Sequence, residues 1–314
     1  MQLPNIVITA TAATPVRTEV FRSLIGTRAL VQEVALPFST CQQELEPYWR
    51  QMESAHALFV RTGYIPAALL KRCHQLRGIV VHGAGVDQVD VEAAEELGVK
   101  VINLPGVNAN AVAELTLGLM LASLRHIPLA DRLMRHSGWE SSRRLGFELG
   151  GKTVGLIGFG QIGRRVAALL RPFNVRLLVT NRSVPQGVDF DFELVSLERL
   201  LAESDIVSIH VPLTPSTRYL LNEKRLTVLK PGAIIINTAR GALIDQAALR
   251  QALMSGHLAA AALDVFDPEP LPPNDPLLHM DNVIVTPHLG GSTEECLVEL
   301  ARQGAVAISQ LLAL

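Results

Sequence analysis

Short runs of aliphatic and β-branched residues alternate along this chain with stretches of helical periodicity. The runs at 6–9, 57–60 and 78–81 lack the polar-in-two alternation of a half-solvated sheet, so they read as strands buried on both faces. Helical patterns at 17–24 and 67–72 lie between them. Strand alternating with helix predicts a parallel sheet covered on both sides. This first unit runs to about Asn103, where Leu104-Pro105-Gly106 marks a turn. A long helix follows over 111–125, with Asn108 or Asn110 as its N-cap. A polar stretch holding Trp139 ends at Gly150-Gly151. A second strand–helix series then covers 152–285, with strands at 154–157, 175–179, 206–210, 233–237, 260–263 and 283–285. A last helical pattern spans 294–312.

Composition narrows the class. A chain of 314 residues has length for two domains. Hydrophobic residues make up 48% and charged residues 18%, which excludes a disordered chain. The net charge of −2 gives no electrostatic case for nucleic acid or an anionic membrane as partner. Mean hydropathy is high at +0.27. Yet the most apolar helical stretch, 111–124, is broken by Glu114 and Thr116 and is shorter than the roughly 20 residues a span needs. The first basic side chain is Arg17, so no signal peptide is expected. Cys41, Cys73 and Cys296 form no paired motif, which points to a reduced, cytoplasmic protein without a cysteine-bound metal.

The strongest local motif is Gly158-Phe159-Gly160-Gln161-Ile162-Gly163, placed between a strand and a helix. In that context Gly158 permits the tight turn, Gly160 admits a pyrophosphate, and Gly163 lets the helix close on the strand. The first helical N–H groups, at Gln161 and Ile162, then face the phosphates. Asn181 stands 18 residues after Gly163, where an NAD-selective site would place a carboxylate on the ribose. Asn181-Arg182-Ser183 carries none. Arg182 either pairs with a 2′-phosphate or stacks on the adenine of either cofactor. The first reading implies NADP(H) preference, with NAD(H) possible.

Three polar motifs follow three strands of the second series: Asn237-Thr238-Ala239-Arg240-Gly241, Asp264 through Glu269-Pro270, and Thr286-Pro287-His288-Leu289-Gly290-Gly291. In a parallel sheet the carboxyl edge is where ligands bind, so Arg240, Glu269 and His288 can converge. Reduction of a 2-oxo acid needs a cation for the carboxylate and carbonyl, a proton and a hydride. Arg240 suits the first, His288 the second, and Glu269 can hold the imidazole through its other nitrogen. A nicotinamide supplies the hydride.

With these motifs the chain resembles the D-isomer-specific 2-hydroxyacid dehydrogenase family over nearly its whole length. Gly83-Ala84-Gly85-Val86-Asp87, Val112-Ala113-Glu114 and His210-Val211-Pro212-Leu213-Thr214 add to the match. The resemblance implies two doubly wound parallel-sheet α/β domains. One is a flavodoxin-like substrate domain of residues 1–103 plus 287–314, and the other a Rossmann cofactor domain of 104–286. The two crossings between them would allow hinge closure over a substrate. It carries the catalytic roles onto Arg240, Glu269 and His288 and carboxylate binding onto the backbone of Ala84 and Gly85. Cofactor contacts fall on Asp264, Thr238 and Ala239 near the nicotinamide, on His210, Val211 and Pro212 near the adenine, and on His288 and Gly290. It also implies a homodimer to which the segment around Trp139 contributes. The Arg182 departure resembles NADPH-preferring glyoxylate and hydroxypyruvate reductases. His82, just before the carboxylate loop, either reaches the substrate's tail or is a strand-end histidine with a backbone partner. A small 2-oxo or 2-hydroxy acid is the expected substrate. The competing readings are NAD-linked oxidation of another D-2-hydroxy acid and, from a different class, a dinucleotide-sensing protein that binds peptides.

Overall fold

The computed structural model describes residues 3–39, 41–184, 187 and 191–314. The chain divides into two compact units. The first comprises Met1–Asn108 with Gly291–Leu314, and the second Ala109–Gly290. The helix expected from Ala111 begins at Ala109 and ends at Leu124, so it lies wholly in the second unit.

Among the described residues the first unit holds five parallel strands: β1 (Asn5–Thr9), β2 (Leu30–Val34), β3 (Ala57–Val60), β4 (Gly78–Val81) and β5 (Lys100–Ile102). Their order across the sheet is β2-β1-β3-β4-β5, the flavodoxin-like arrangement. All four residues of β3 and of β4 are buried, as their uninterrupted apolar runs require. Leu58, Val60, Ile79 and Val81 pack on Leu45, Trp49 and Met52 of the helix Gln42–Met52. The C-terminal helix Glu294–Leu312 opens with Thr293, whose hydroxyl accepts from the Cys296 N–H at 3.3 Å. Each fully buried aliphatic or aromatic side chain of this kind stabilises the fold by about 1.5–3 kcal/mol.

Among the described residues the second unit holds seven parallel strands: β6 (Thr153–Ile157), β7 (Arg176–Thr180), β8 (Glu193–Leu194), β9 (Ile206–Ile209), β10 (Ala233–Asn237), β11 (Leu258–Leu263) and β12 (Val283–Val285). Their order is β12-β11-β10-β9-β6-β7-β8. The direction of winding reverses between β6 and β9, so the loops after these two strands flank a topological switch point. The helix Ala109–Leu124 is buried along much of its length and packs with the helix Gln161–Leu170 on one face of this sheet. Among the described residues no single helix is long and apolar enough to cross a membrane.

Candidate active site

The glycine-rich loop leaves β6 at the switch point. Gly158 has φ +98°, and a Cβ there would lie 2.5 Å from the His210 carbonyl oxygen. Only glycine fits both constraints. A Cβ at Gly163 would lie 2.4 Å from the Gly158 carbonyl oxygen, so the helix starts tight against the strand end. Gly160 differs: it is exposed, and a Cβ there would meet nothing within 4 Å. It occupies the N-cap of the helix Gln161–Leu170, where no side chain caps the first N–H groups. Open space over uncapped helical donors fits a dinucleotide pyrophosphate.

The adjoining residues are arranged around that loop. Asn181 Oδ1 accepts from the Phe159 N–H at 3.2 Å, and its Nδ2 donates to the Ser183 carbonyl at 2.9 Å. Asn181 is thus a tie between the end of β7 and the loop. Arg182 and Ser183 are exposed, and Arg182 pairs with no other described residue. His210 Nε2 lies 2.9 Å from Ser208 Oγ, and burial pushes its pKa down to about 4, so it is neutral. Val211 is half-buried and Pro212 exposed.

Arg240, Glu269 and His288 come from the loops after β10, β11 and β12, and the structure brings them together. Asn237, the buried last residue of β10, clamps the first loop. Its Oδ1 accepts from the Ala239 N–H at 3.0 Å and its Nδ2 donates to the Arg240 carbonyl at 2.8 Å. Thr238 is buried with its hydroxyl 3.0 Å from that of Thr116. A Cβ at Gly241 would sit 1.9 Å from the Phe266 carbonyl carbon, so the Arg240 and Glu269 loops touch backbone to backbone. Glu269 Oε1 accepts from the Phe266 N–H at 2.9 Å, and Oε2 lies 2.9 Å from His288 Nδ1. The Asp267 N–H donates to Gln246 Oε1 at 3.2 Å, steadying the same loop. Burial alone would raise the Glu269 pKa. The hydrogen bond from His288 and its charge, the Phe266 N–H and the Arg240 charge outweigh burial and hold it below the ordinary carboxylate value. Glu269 is therefore an acceptor for Nδ1, and His288 Nε2 makes no bond to a described residue.

Asp264, the expected cofactor contact, follows β11 directly. It is fully buried, and its carboxylate accepts from Thr286 Oγ1 at 2.6 Å, the Leu289 N–H at 2.7 Å and the Gly290 N–H at 2.8 Å. Burial raises its pKa against these bonds. Its work is to shape the loop on which His288 stands, with φ +54°, and it leaves Gly290 buried. Asn237 and Asp264 show how strand-end polar residues tie the loops that follow them. The buried, strand-terminal position of Asn237 was the available signal for its clamp.

In the first unit Ala84 is exposed and Gly85 half-buried. Asn103 Nδ2 donates to the Ala84 carbonyl at 2.6 Å and the Leu104 N–H to the Gly83 carbonyl at 2.8 Å, which fixes the loop from behind. No described residue accepts from the N–H groups of Ala84 and Gly85, so they remain open to an anion. His82 is buried, as its strand-end reading required, but its partner is the Arg61 side chain. No group of three or more acidic, histidine or cysteine side chains among the described residues could hold a metal.

Comparison with known proteins agrees with this geometry. Residues 117–290 match the family model for the NAD-binding domain of D-isomer-specific 2-hydroxyacid dehydrogenases. The chain belongs to that family, a class of NAD(P)-dependent oxidoreductases. It is 41% identical to a hydroxypyruvate reductase of Thermotoga maritima over 86% of this chain and 89% of the relative. It is 42% identical to a D-3-phosphoglycerate dehydrogenase of Methanocaldococcus jannaschii over 84% of this chain. It spans only about half, 51%, of that relative's length. The TT0316 protein of Thermus thermophilus superposes with a TM-score of 0.87 at 36% identity, over 98% of this chain and 97% of that one.

Proposed function

We propose that this chain reduces a small 2-oxo acid of the glyoxylate or hydroxypyruvate type to the D-2-hydroxy acid with NADPH as preferred cofactor. The observation that carries the reading is the Glu269–His288 pair at 2.9 Å, within the field of Arg240 in the same unit as the open Gly160 cradle. The dinucleotide would be held by the backbone of 158–163, by Asn181 to Ser183, by His210 to Pro212 and by Thr238 and Ala239. When bound, it supplies the hydride. Arg240 binds the carboxylate and polarises the carbonyl. His288 Nε2 delivers a proton to the carbonyl oxygen while Glu269 holds Nδ1. In the first unit the N–H groups of Ala84 and Gly85 are donors for the substrate carboxylate. NADP selectivity rests on Arg182, exposed at the position where a carboxylate would repel a 2′-phosphate. The exposed side chains of Trp139, Leu145 and Phe147 support a homodimer through 125–147, and free thiols at Cys41, Cys73 and Cys296 support a reducing cytoplasm.

The test is steady-state kcat/KM for glyoxylate and hydroxypyruvate with NADPH and NADH in parallel, on wild type and Arg182→Ala. The proposal expects NADPH preference that falls by roughly tenfold or more in the variant, the loss of one charged hydrogen bond. Equal use of the two cofactors by wild type would transfer the reading to NAD-linked oxidation of another D-2-hydroxy acid.

A further inference from the structure

A pair of buried hydroxyls links the helix Ala109–Leu124 to the loop that carries Arg240. Thr116 is fully buried on that helix, where its buried neighbours Val112, Ala113, Leu119 and Met120 are apolar. A hydroxyl in an apolar layer costs free energy unless it is bonded. Thr116 Oγ1 lies 2.8 Å from the Val112 carbonyl oxygen and 3.0 Å from Thr238 Oγ1. The two contacts fix the direction of both protons. A carbonyl can only accept, so the Thr116 proton goes to Val112. The Thr238 hydroxyl then donates to Thr116 Oγ1. The Arg240 loop is thereby held from two sides. The Asn237 side chain clamps the Ala239 N–H and the Arg240 carbonyl, and Thr116 holds the residue between them, Thr238, from the helix. The same helical turn reaches the loop of His288, since a Cβ at Gly290 would lie 3.2 Å from Val112 Cγ2. One turn, from Val112 to Thr116, backs both loops.

We infer that Thr116 is a positioning residue for Arg240, acting through Thr238. The inference rests on the reductase reading, in which Arg240 binds the substrate carboxylate and polarises its carbonyl. The direction of the bond gives Thr116 a signature that a packing role lacks. Thr116→Val leaves the buried Thr238 proton without an acceptor and the loop without its anchor. Removing both hydroxyls takes away donor and acceptor together, which restores stability but not the anchor. Thr116→Ser keeps the oxygen and the proton, and with them the anchor.

The experiment measures kcat/KM for glyoxylate at saturating NADPH, the NADPH Kd by fluorescence titration, and Tm. It compares wild type, Thr116→Val, Thr116→Ser and the double variant Thr116→Val/Thr238→Val. Thr116→Val is expected to lose about 10-fold in kcat/KM, divided between a higher KM and a lower kcat, because Arg240 serves both binding and polarisation. Its NADPH Kd should stay within about twofold of wild type, since the glycine-rich loop is untouched. Thr116→Ser should keep about half or more of the wild-type kcat/KM. The double variant should regain the Tm that Thr116→Val loses, but not the activity. Wild-type kcat/KM in Thr116→Val overturns the inference, and so does activity that returns with Tm in the double variant. A loss seen in the NADPH Kd alone overturns it too, by moving the effect to the cofactor. If Thr116→Val does not fold, the double variant decides, and wild-type kcat/KM in it overturns the inference. If wild type reduces neither glyoxylate nor hydroxypyruvate, the reductase reading falls first and takes this with it. An active wild type beside an unchanged Thr116→Val fells this inference alone.

Discussion

Replacing Glu269 by Gln separates the charge of this residue from its shape. The amide keeps the volume, and its oxygen can still accept from the Phe266 N–H, bonded at 2.9 Å in the wild type. What is lost is the negative charge 2.9 Å from His288 Nδ1. A hydrogen bond to a charged group contributes about 1.5–3 kcal/mol. Here the side chains of His288 and Glu269 are 49% and 32% exposed, so solvent screens the pair and the lower end applies. About 1.5–2 kcal/mol corresponds to a fall in kcat/KM of roughly 10- to 30-fold. The assay is steady-state reduction of glyoxylate at neutral pH with saturating reduced cofactor. The loss should appear in kcat more than in KM, because the charge supports proton delivery rather than substrate binding. A kcat/KM within twofold of wild type would refute the reasoning. A loss beyond about a thousandfold would refute it in the other direction, since holding one ring nitrogen does not command that much of the barrier.

Other outcomes follow from the same geometry. The Glu269 pKa lies below its ordinary value in the fold, so its contribution to stability is present above that ordinary value and fades as pH falls through the folded one. The Tm difference between wild type and Glu269→Gln, measured from pH 7 down to pH 3, should therefore shrink with acidity; a constant or growing gap would contradict it. Gly160→Ala should keep the wild-type Tm and weaken dinucleotide binding by fluorescence titration, because its Cβ meets open space in the free protein. Gly158→Ala should lower Tm sharply, with a Cβ 2.5 Å from a backbone oxygen at φ +98°; equal Tm values for the two variants would refute the division of roles. Leu145 is 92% exposed, and on the proposed pairing through 125–147 the wild type should scatter light as two chains and Leu145→Asp as one; a wild-type mass of one chain, or an unchanged mass in the variant, would refute that pairing.

The parts of the fold that could be read from the sequence are those where burial on both faces leaves an unbroken apolar run. The runs 57–60, 78–81 and 233–237 coincide with β3, β4 and β10. The strands that went unread, β2, β5 and β8, lie at sheet edges, where polar residues such as Gln32, Glu33 and Lys100 break the run. The helix Gln42–Met52 was hidden by its polar surface and by Pro47, although Leu45, Trp49 and Met52 mark its buried face at helical spacing. In the site, the polar residues after β10, β11 and β12 were legible because a parallel sheet delivers all its strand ends to one edge. Which of them meet ligand was not legible. Asp264 and Asn237 carry the same chemistry as ligand-binding groups, and only packing shows that they also tie their own loops. The Arg61–His82 contact joins neighbouring strand ends 21 residues apart, which no local pattern announces.

The contact between Gly241 and the Phe266 backbone has a mechanical consequence. No side chain lies between the two loops there, so the interval from Arg240 to Glu269 is set by peptide geometry rather than by a rotamer that thermal motion can change. The guanidinium loop and the carboxylate loop form one stiff part. When the site breathes, the two advance or retreat in step, so the Arg240 side chain and the carboxylate that supports His288 share one base.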